Sequence, residues 1–287
     1  MTRPAWHDAA LARDIAGLPL VARISAAGAA AGRHASNLPG VGLEFAQYRG
    51  YQPGDDLRRV DWKLLARSDR FFVREAEADT ALPVRIALDG SASMAHEEDG
   101  ITKFDVARRI AAALAEVAIR HGDLASLAVM NDDAAIVPPS RDRRQLDRII
   151  GTLDRATPTG SLPRRVDNVL SALGRGNGGV VVVITDWHDP EDVLRPALER
   201  TGLDASLLML RTLRESDPRY GRPVTLEDIE TGQRVTIDDA ARHDRASVDA
   251  RKRQEAQRGG VDVAMIDPAD DLSIALRSWL AARAGRR

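Results

Sequence analysis

The chain of 287 residues contains no cysteine, an absence that removes thiolate catalysis, cysteine-ligated zinc, iron–sulfur centres and disulfides together. Aromatic residues make up only 4%, so a core must be assembled from Ala, Val, Leu and Ile, a composition suited to parallel sheet covered by helices. A surplus of either charge is missing too. The 41 Lys plus Arg stand against 43 Asp plus Glu, a net of -2. That balance argues against a general nucleic-acid binder, whose phosphate contacts demand a basic excess. No apolar run approaches the roughly 18 to 20 residues of a membrane span, and among the longest, Ile110 to Ile119 contains a charge. The opening MTRPAWHDAALARD carries acidic residues where a signal peptide would have its apolar core. The expectation is a soluble, cytoplasmic protein of one large or two small domains, long enough to bury a core without a staple.

What the chain does have is an alternation of strands and helices. Residues 1 to about 36 are Ala-rich, with Leu11, Ile15, Leu18, Val21 and Ile24 near a helical period broken at Pro19, which predicts one or two short helices. Residues 37–82 form a second region, in which Pro39, Gly40, Gly42, Gly50, Pro53 and Gly54 mark loops with short extended pieces. From Pro83 onward VRIALD reads as a buried strand. Lys103 to Arg120 reads as a helix with Phe104, Ala107, Ile110, Ala111, Leu114, Val117 and Ala118 on one face. Further strands (LASLAVM, AAIV, GGVVVVITD, LDASLLML, VDVAMID) alternate with helices (RDRRQLDRIIGTLDRA, LPRRVDNVLSAL, PEDVLRPALER, and Asp270 to Arg283). This predicts a doubly wound, mostly parallel α/β sheet over 83–287. It is interrupted at about 214–238 by a hairpin, VTLEDIETGQRVTID, with Thr231 and Gly232 at its turn, and a polar helix from Asp239 to Arg258 leads back to the sheet.

The chemistry concentrates at the ends of two strands. In LDGSASM a carboxylate, Asp89, and two hydroxyls, Ser91 and Ser93, leave a buried strand at spacing two. Open α/β sheets bind ligands just beyond the carboxyl ends of their strands, and a hard divalent cation takes carboxylate, hydroxyl and water oxygens. Mg²⁺ suits this set, with Mn²⁺ or Ca²⁺ as substitutes. In VVVITDWHD a second carboxylate, Asp186, ends another strand and faces Asp89 if the two strands are neighbours. The loop ATPTGSL adds Thr157, Thr159 and Ser161, any one of which could reach the same point.

These residues resemble the metal-ion-dependent adhesion site (MIDAS) of von Willebrand factor A domains, a DxSxS loop followed by a loop threonine and a later aspartate. The middle loop departs from the family's Gly-Thr-Asp-Leu. Here it is Thr159-Gly160-Ser161-Leu162, so Gly160 stands at the threonine position and Thr159 or Ser161 must substitute, or that ligand is missing. A longer stretch, GVGLEFAQYRGYQPGDDLRRVDWKLLARSDRFFVREAEAD, resembles the signature of bacterial domain-of-unknown-function family 58 in Gly42 to Phe45, Arg49 to Asp56, Arg59 to Lys63, Ala66 with Arg67, and Phe72 to Glu75. The resemblance implies a von Willebrand A-like fold, a metal site at Asp89, Ser91, Ser93, Thr159 and Asp186, and a role as adaptor or co-chaperone. The implied partners are a MoxR-type AAA+ ATPase and a client protein, with no established catalytic reaction.

Structural readings stand beside these. Asp89, Ser91 and Ser93 also suit a strand-to-helix turn whose side chains bond the backbone, and Asp186 could cap the turn before Pro190. Thr102 and Asp105 have capping-box spacing. His96, His121 and His188 are scattered, which gives no support to a zinc site. The run Arg49, Arg58, Arg59, Lys63, Arg67, Arg70 and Arg74, interleaved with Asp55, Asp56, Asp61 and Asp69, reads as internal pairing or a partner face, and Trp62 reads as core. The leading expectation is a non-enzymatic, metal-dependent adaptor. A metal-assisted phosphohydrolase and a metal-free scaffold are the alternatives, and no GxxxxGK[ST] or GxGxxG motif favours the enzyme.

Overall fold

In a computed structural model of the chain, the structure describes residues 3–18, 20, 45–51, 60–68, 70–76, 81–174, 178–188, 192–216, 224–227, 234–237 and 245–285. The chain forms two compact units, one of Met1–Ala22 with Leu82–Arg287 and one of Arg23–Ala81.

The larger unit begins with helix α1 (Ala9–Ile15), whose start is capped by the Asp8 carboxylate accepting from Ala10 N and Leu11 N. In the smaller unit, strand β1 (Phe45–Gly50) precedes helix α2 (Trp62–Ser68) and strand β2 (Phe72–Ala76), and β1 pairs antiparallel with β2 from Phe45↔Ala76 to Gly50↔Phe72. Asp61 fixes the start of α2, since its Oδ1 accepts from Lys63 N and Leu64 N, both at 3.0 Å. Trp62, expected in the core, is instead 58% exposed. Val60 and Val73 bridge one another and are buried, whereas Trp62, the first residue of the capped helix, is turned outward.

The central sheet of the larger unit starts at β3 (Pro83–Asp89). A short hairpin follows, β4 (Glu97–Glu98) and β5 (Ile101–Thr102). Its two-residue turn is Asp99-Gly100 with φ of 51° and 81°, the left-handed pair that such tight turns favour. Helix α3 (Lys103–Arg120) is capped by Thr102 Oγ1, which accepts from Asp105 N. Then come β6 (Leu124–Met130), β7 (Ala135–Val137), α4 (Gln145–Arg155), α5 (Val166–Ala172), β8 (Val180–Thr185), α6 (Leu194–Thr201) and β9 (Asp204–Leu210). After α7 (Leu213–Ser216), strands β10 (Val224–Glu227) and β11 (Arg234–Ile237) pair antiparallel as the expected hairpin, whose turn at Thr231 and Gly232 lies outside the described residues. Helix α8 (Arg245–Arg258), β12 (Val261–Ile266) and α9 (Leu272–Ala284) complete the unit; the part of the polar helix expected at 239–244 lies outside the described residues, as do Val21 and Ile24.

Strand order is β12-β9-β8-β3-β6-β7, parallel throughout except for β7, which runs antiparallel at the edge beside β6. This is the expected doubly wound, mostly parallel α/β sheet. Both faces are covered, and successive residues on β8 divide between them. Val180, Val182 and Ile184 join a core with α1, α3, α4 and α9, whereas Val181 and Val183 join a second core with α5, α6 and α8. The period of two in side-chain direction, with helices on both sides, explains why these strands read as continuous apolar runs.

Candidate functional site

The chain winds from β3 through α3 to β6 on one side, while β8, β9 and β12 extend the other way. The crevice beyond the ends of β3 and β8 is therefore the switch point where open α/β sheets receive ligands. Leu88 pairs with Ile184, so Asp89 comes beside Thr185, with Asp186 one residue beyond. Both carboxylates are buried, Asp89 at 1% and Asp186 at 2% exposure.

Short bonds hold this pit together. Ser91 N donates to Asp89 Oδ1 at 2.9 Å and Thr185 Oγ1 donates to Asp89 Oδ2 at 2.5 Å, while Thr185 Oγ1 accepts from Trp187 N at 2.8 Å. The hydroxyls of Ser91 and Ser93 lie 3.0 Å apart, and Ser93 Oγ donates to Asp186 Oδ1 at 3.2 Å. The same Oδ1 accepts from His188 N at 3.1 Å. Trp187, between them, is buried with a φ of 50°, a left-handed backbone that a bulky residue adopts only under constraint. Asp89, Ser91, Ser93 and Asp186 are thus brought to one place.

The middle loop docks through its backbone. Thr159 N donates to Gly90 O at 2.8 Å and Ala92 N donates to Gly160 O at 2.9 Å, with Thr157, Thr159 and Ser161 exposed. Gly160 has φ 68°, and a Cβ there would collide with the Asp132 carboxylate. A threonine at Gly160 would meet the cost of the left-handed backbone and would have to displace the Asp132 side chain.

The reading of the sequence missed a buried cation. Lys103, the first residue of α3, is 1% exposed, and its Nζ donates to Asp186 Oδ2 at 3.0 Å and to Glu215 Oε1 at 2.5 Å. Glu215 Oε2 accepts from Thr212 N at 3.0 Å. Arg211, also buried, donates from Nη2 to Asp186 O at 2.8 Å, and its Nε lies 3.1 Å from Asp249 Oδ2 on α8. A signal for Lys103 existed: a lysine in the first turn sits at the positive end of the helix dipole, where a cation is unfavourable unless carboxylates face it.

Burial pushes the Asp89 carboxyl up to about 7, helped by the neighbouring Asp186 charge and opposed by the bonds from Thr185 and Ser91. Burial acts on Asp186 in the same direction, but the Lys103 charge and hydrogen bond, His188 N and Arg211 together hold it below the ordinary carboxylate value. Glu215 follows the same logic, with burial outweighed by Lys103, Thr212 N and Arg211.

Residues 47–258 match the model of the family described as protein of unknown function DUF58. Uncharacterized proteins of Mycobacterium tuberculosis (strain H37Rv) and of Mycobacterium bovis are each 31% identical over 241 residues, 81% of this chain and 75% of the relative. The chain belongs to the DUF58 family. Solved structures similar to this DUF58 chain include an aerotolerance-related membrane protein from Bacteroides fragilis, with a TM-score of 0.49 at 18% identity over 72% of this chain and 100% of that one. Others are BatB from Bacteroides thetaiotaomicron (TM-score 0.48, 18% identity, 72% and 100%) and the SpRpn10 VWA domain (0.41, 11%, 71% and 95%). Among the described residues of the DUF58 chain, no helix is long and apolar enough to cross a membrane.

The donor set can be tested against the divalent cation that the adhesion-site resemblance implies. Among the described residues no three or more His, Asp or Glu gather as metal ligands, so the available donors are two carboxylates and two hydroxyls. All are hard oxygens, as Mg²⁺, Mn²⁺ or Ca²⁺ requires. Asp89 receives its hydrogen bonds from neutral donors while a second carboxylate presses on it. A cation would relieve that repulsion, so the residues fit the group.

Proposed function

We propose that this DUF58 chain is a non-enzymatic, cation-dependent protein-binding adaptor of the cytoplasm. The observation that carries the reading is Asp89, a fully buried carboxylate at the sheet's switch point whose bonds come only from neutral groups and whose neighbour is another carboxylate. Asp89, Ser91, Ser93 and Asp186 would hold a divalent cation, with Thr159 the further hydroxyl offered by the docked loop. Four protein oxygens do not fill an octahedral shell, so waters and an oxygen from a partner complete it. A partner carboxylate is the natural donor.

Two of the three carboxylates around the pit, Asp186 and Glu215, are held in place by donors of the chain itself. Asp186 is oriented by Ser93, His188 N and Lys103, and Glu215 by Lys103 and Thr212, which suits a fixed ligand and a fixed counter-charge better than a general base. The partner class that the family resemblance supplies is a MoxR-type AAA+ ATPase acting on a client protein. The test is co-purification of the tagged chain with a MoxR-type ATPase of the same genome, in Mg²⁺ and in EDTA. Recovery in Mg²⁺, and its loss both in EDTA and with Asp89→Ala, is the expected result. Recovery that survives EDTA and the substitution would sink the proposal.

A further inference from the structure

Lys103 is the one fully buried lysine among the described residues, and its ammonium contacts the carboxylate on which the cation reading depends. We propose that Lys103 and Glu215 are the charge-setting pair of that cation site, an inference that rests on the reading above. Lys103 takes Asp186 Oδ2, whereas Oδ1 is the oxygen turned toward the Ser91 and Ser93 hydroxyls. The two oxygens of Asp186 are thereby divided, one to the resident ammonium and one to the pit. Lys103 thus orients Asp186 and cancels part of the charge the pit presents. Glu215 tempers that effect by drawing the same ammonium through Oε1, while its Oε2 is anchored by Thr212 N. The cation affinity of the pit is set by the balance of the two.

The consequence is a site that holds its ion weakly by construction. A unit positive charge a few ångströms from a divalent ion opposes its binding by an amount that is large even at a protein-like effective dielectric constant of about 20. A weakly held ion keeps exchangeable waters, so a partner's oxygen adds a substantial share of the total binding. Glu215 begins the segment that leads to β10 and β11, and Arg214 beside it pairs with Glu98 at 3.3 Å and Asp99 at 3.5 Å on the short hairpin before α3. The setting of the site is therefore tied to the short hairpin before α3.

The experiment is Mn²⁺ binding to the full chain at pH 8, by electron paramagnetic resonance and calorimetry, for the native protein, Lys103→Met, Glu215→Gln and the double variant. Lys103→Met binds about tenfold or more tightly than native, Glu215→Gln about tenfold more weakly, and the double variant within about threefold of native. The double variant removes a cation and an anion together, a change that buried pairs tolerate better than loss of one partner. It and Glu215→Gln decide the matter if Lys103→Met does not fold. Folded single variants that shift affinity in the same direction, or not at all, overturn the proposal in favour of a purely structural pair. The native protein and the variants read different claims. Mn²⁺ binding by Lys103→Met but not by native protein refutes the cation reading for the native chain and upholds the role of Lys103, whereas no binding by any of the four refutes both.

Discussion

Two buried charge clusters occupy opposite ends of the central sheet, and they are built on different terms. At the amino end of β9, Arg283 of α9 donates to Asp204 Oδ2 at 2.8 Å and to Ser206 Oγ, with its guanidinium over the Trp279 ring. Here a largely buried cation is matched by a carboxylate. At the carboxyl ends of β3 and β8, Lys103 and Arg211 serve Asp186, Glu215 and Asp249, whereas the hydrogen-bond donors to Asp89 among the described residues, Ser91 and Thr185, are neutral. The comparison separates a cluster that holds the fold from one that stores an unbalanced charge.

Substitutions should break the two clusters in opposite senses. The largest effect is expected for Asp186→Ala, which takes from buried Lys103 one of its two carboxylate partners and should cost about 3 to 5 kcal/mol in chemical denaturation. Next is Asp89→Asn, with the sign reversed. The carboxyl of Asp89 lies above its ordinary 3.8, at about 7, so the stability it contributes is full below about pH 4 and is lost as pH rises through 7. Without added cation, native protein should therefore lose stability between pH 5 and 8, and Asp89→Asn should remove that loss, a gain on the order of 2 to 4 kcal/mol at pH 8. Asp186 and Glu215 are lowered, so their contributions are lost only as pH falls below their ordinary values of 3.8 and 4.5, outside this window. His7 is also lowered, and its contribution fades as pH falls below about 6.5; the difference between native and Asp89→Asn isolates Asp89 from it.

At the Arg283 cluster neutralisation should do the reverse. Asp204→Asn is expected to cost about 1 to 2 kcal/mol at any pH from 5 to 8, since it removes the partner of a largely buried guanidinium. Gly160→Ala follows, costing roughly 1 to 2 kcal/mol for the left-handed backbone and displacing Asp132; thermal denaturation reads it. The smallest effect is Trp62→Ser, within about 0.5 kcal/mol, because the side chain is mostly exposed.

The sheet was legible because its strands are buried on both faces and so spell out unbroken apolar runs such as VRIALD and VVVVIT, with α3 equally plain in its spaced apolar face. Asp89 and Asp186 were legible because each ends such a run. The Lys103–Glu215 pair was not, since 112 residues separate its members and only the winding of the chain brings them together. Thr185 hid for another reason: as the last residue of a strand it reads as β-branched filler, although its hydroxyl links the two carboxylate loops. At Gly160, read from the sequence as standing where the adhesion-site pattern has threonine, the structure adds a left-handed backbone that spacing alone does not reveal. Trp62 looked like core because size and apolarity usually decide burial, but as the first residue of a short helix it is exposed.

The central claim is that the unbalanced charge at Asp89 is a cation site. It is met most directly by counting Mn²⁺ bound per chain at pH 8 in native protein and in Asp89→Asn, with Asp204→Asn as the control from the Arg283 cluster. One ion per chain in native protein and in Asp204→Asn, with none in Asp89→Asn, is the expected result. Equal occupancy in all three, or none in native protein, would contradict it.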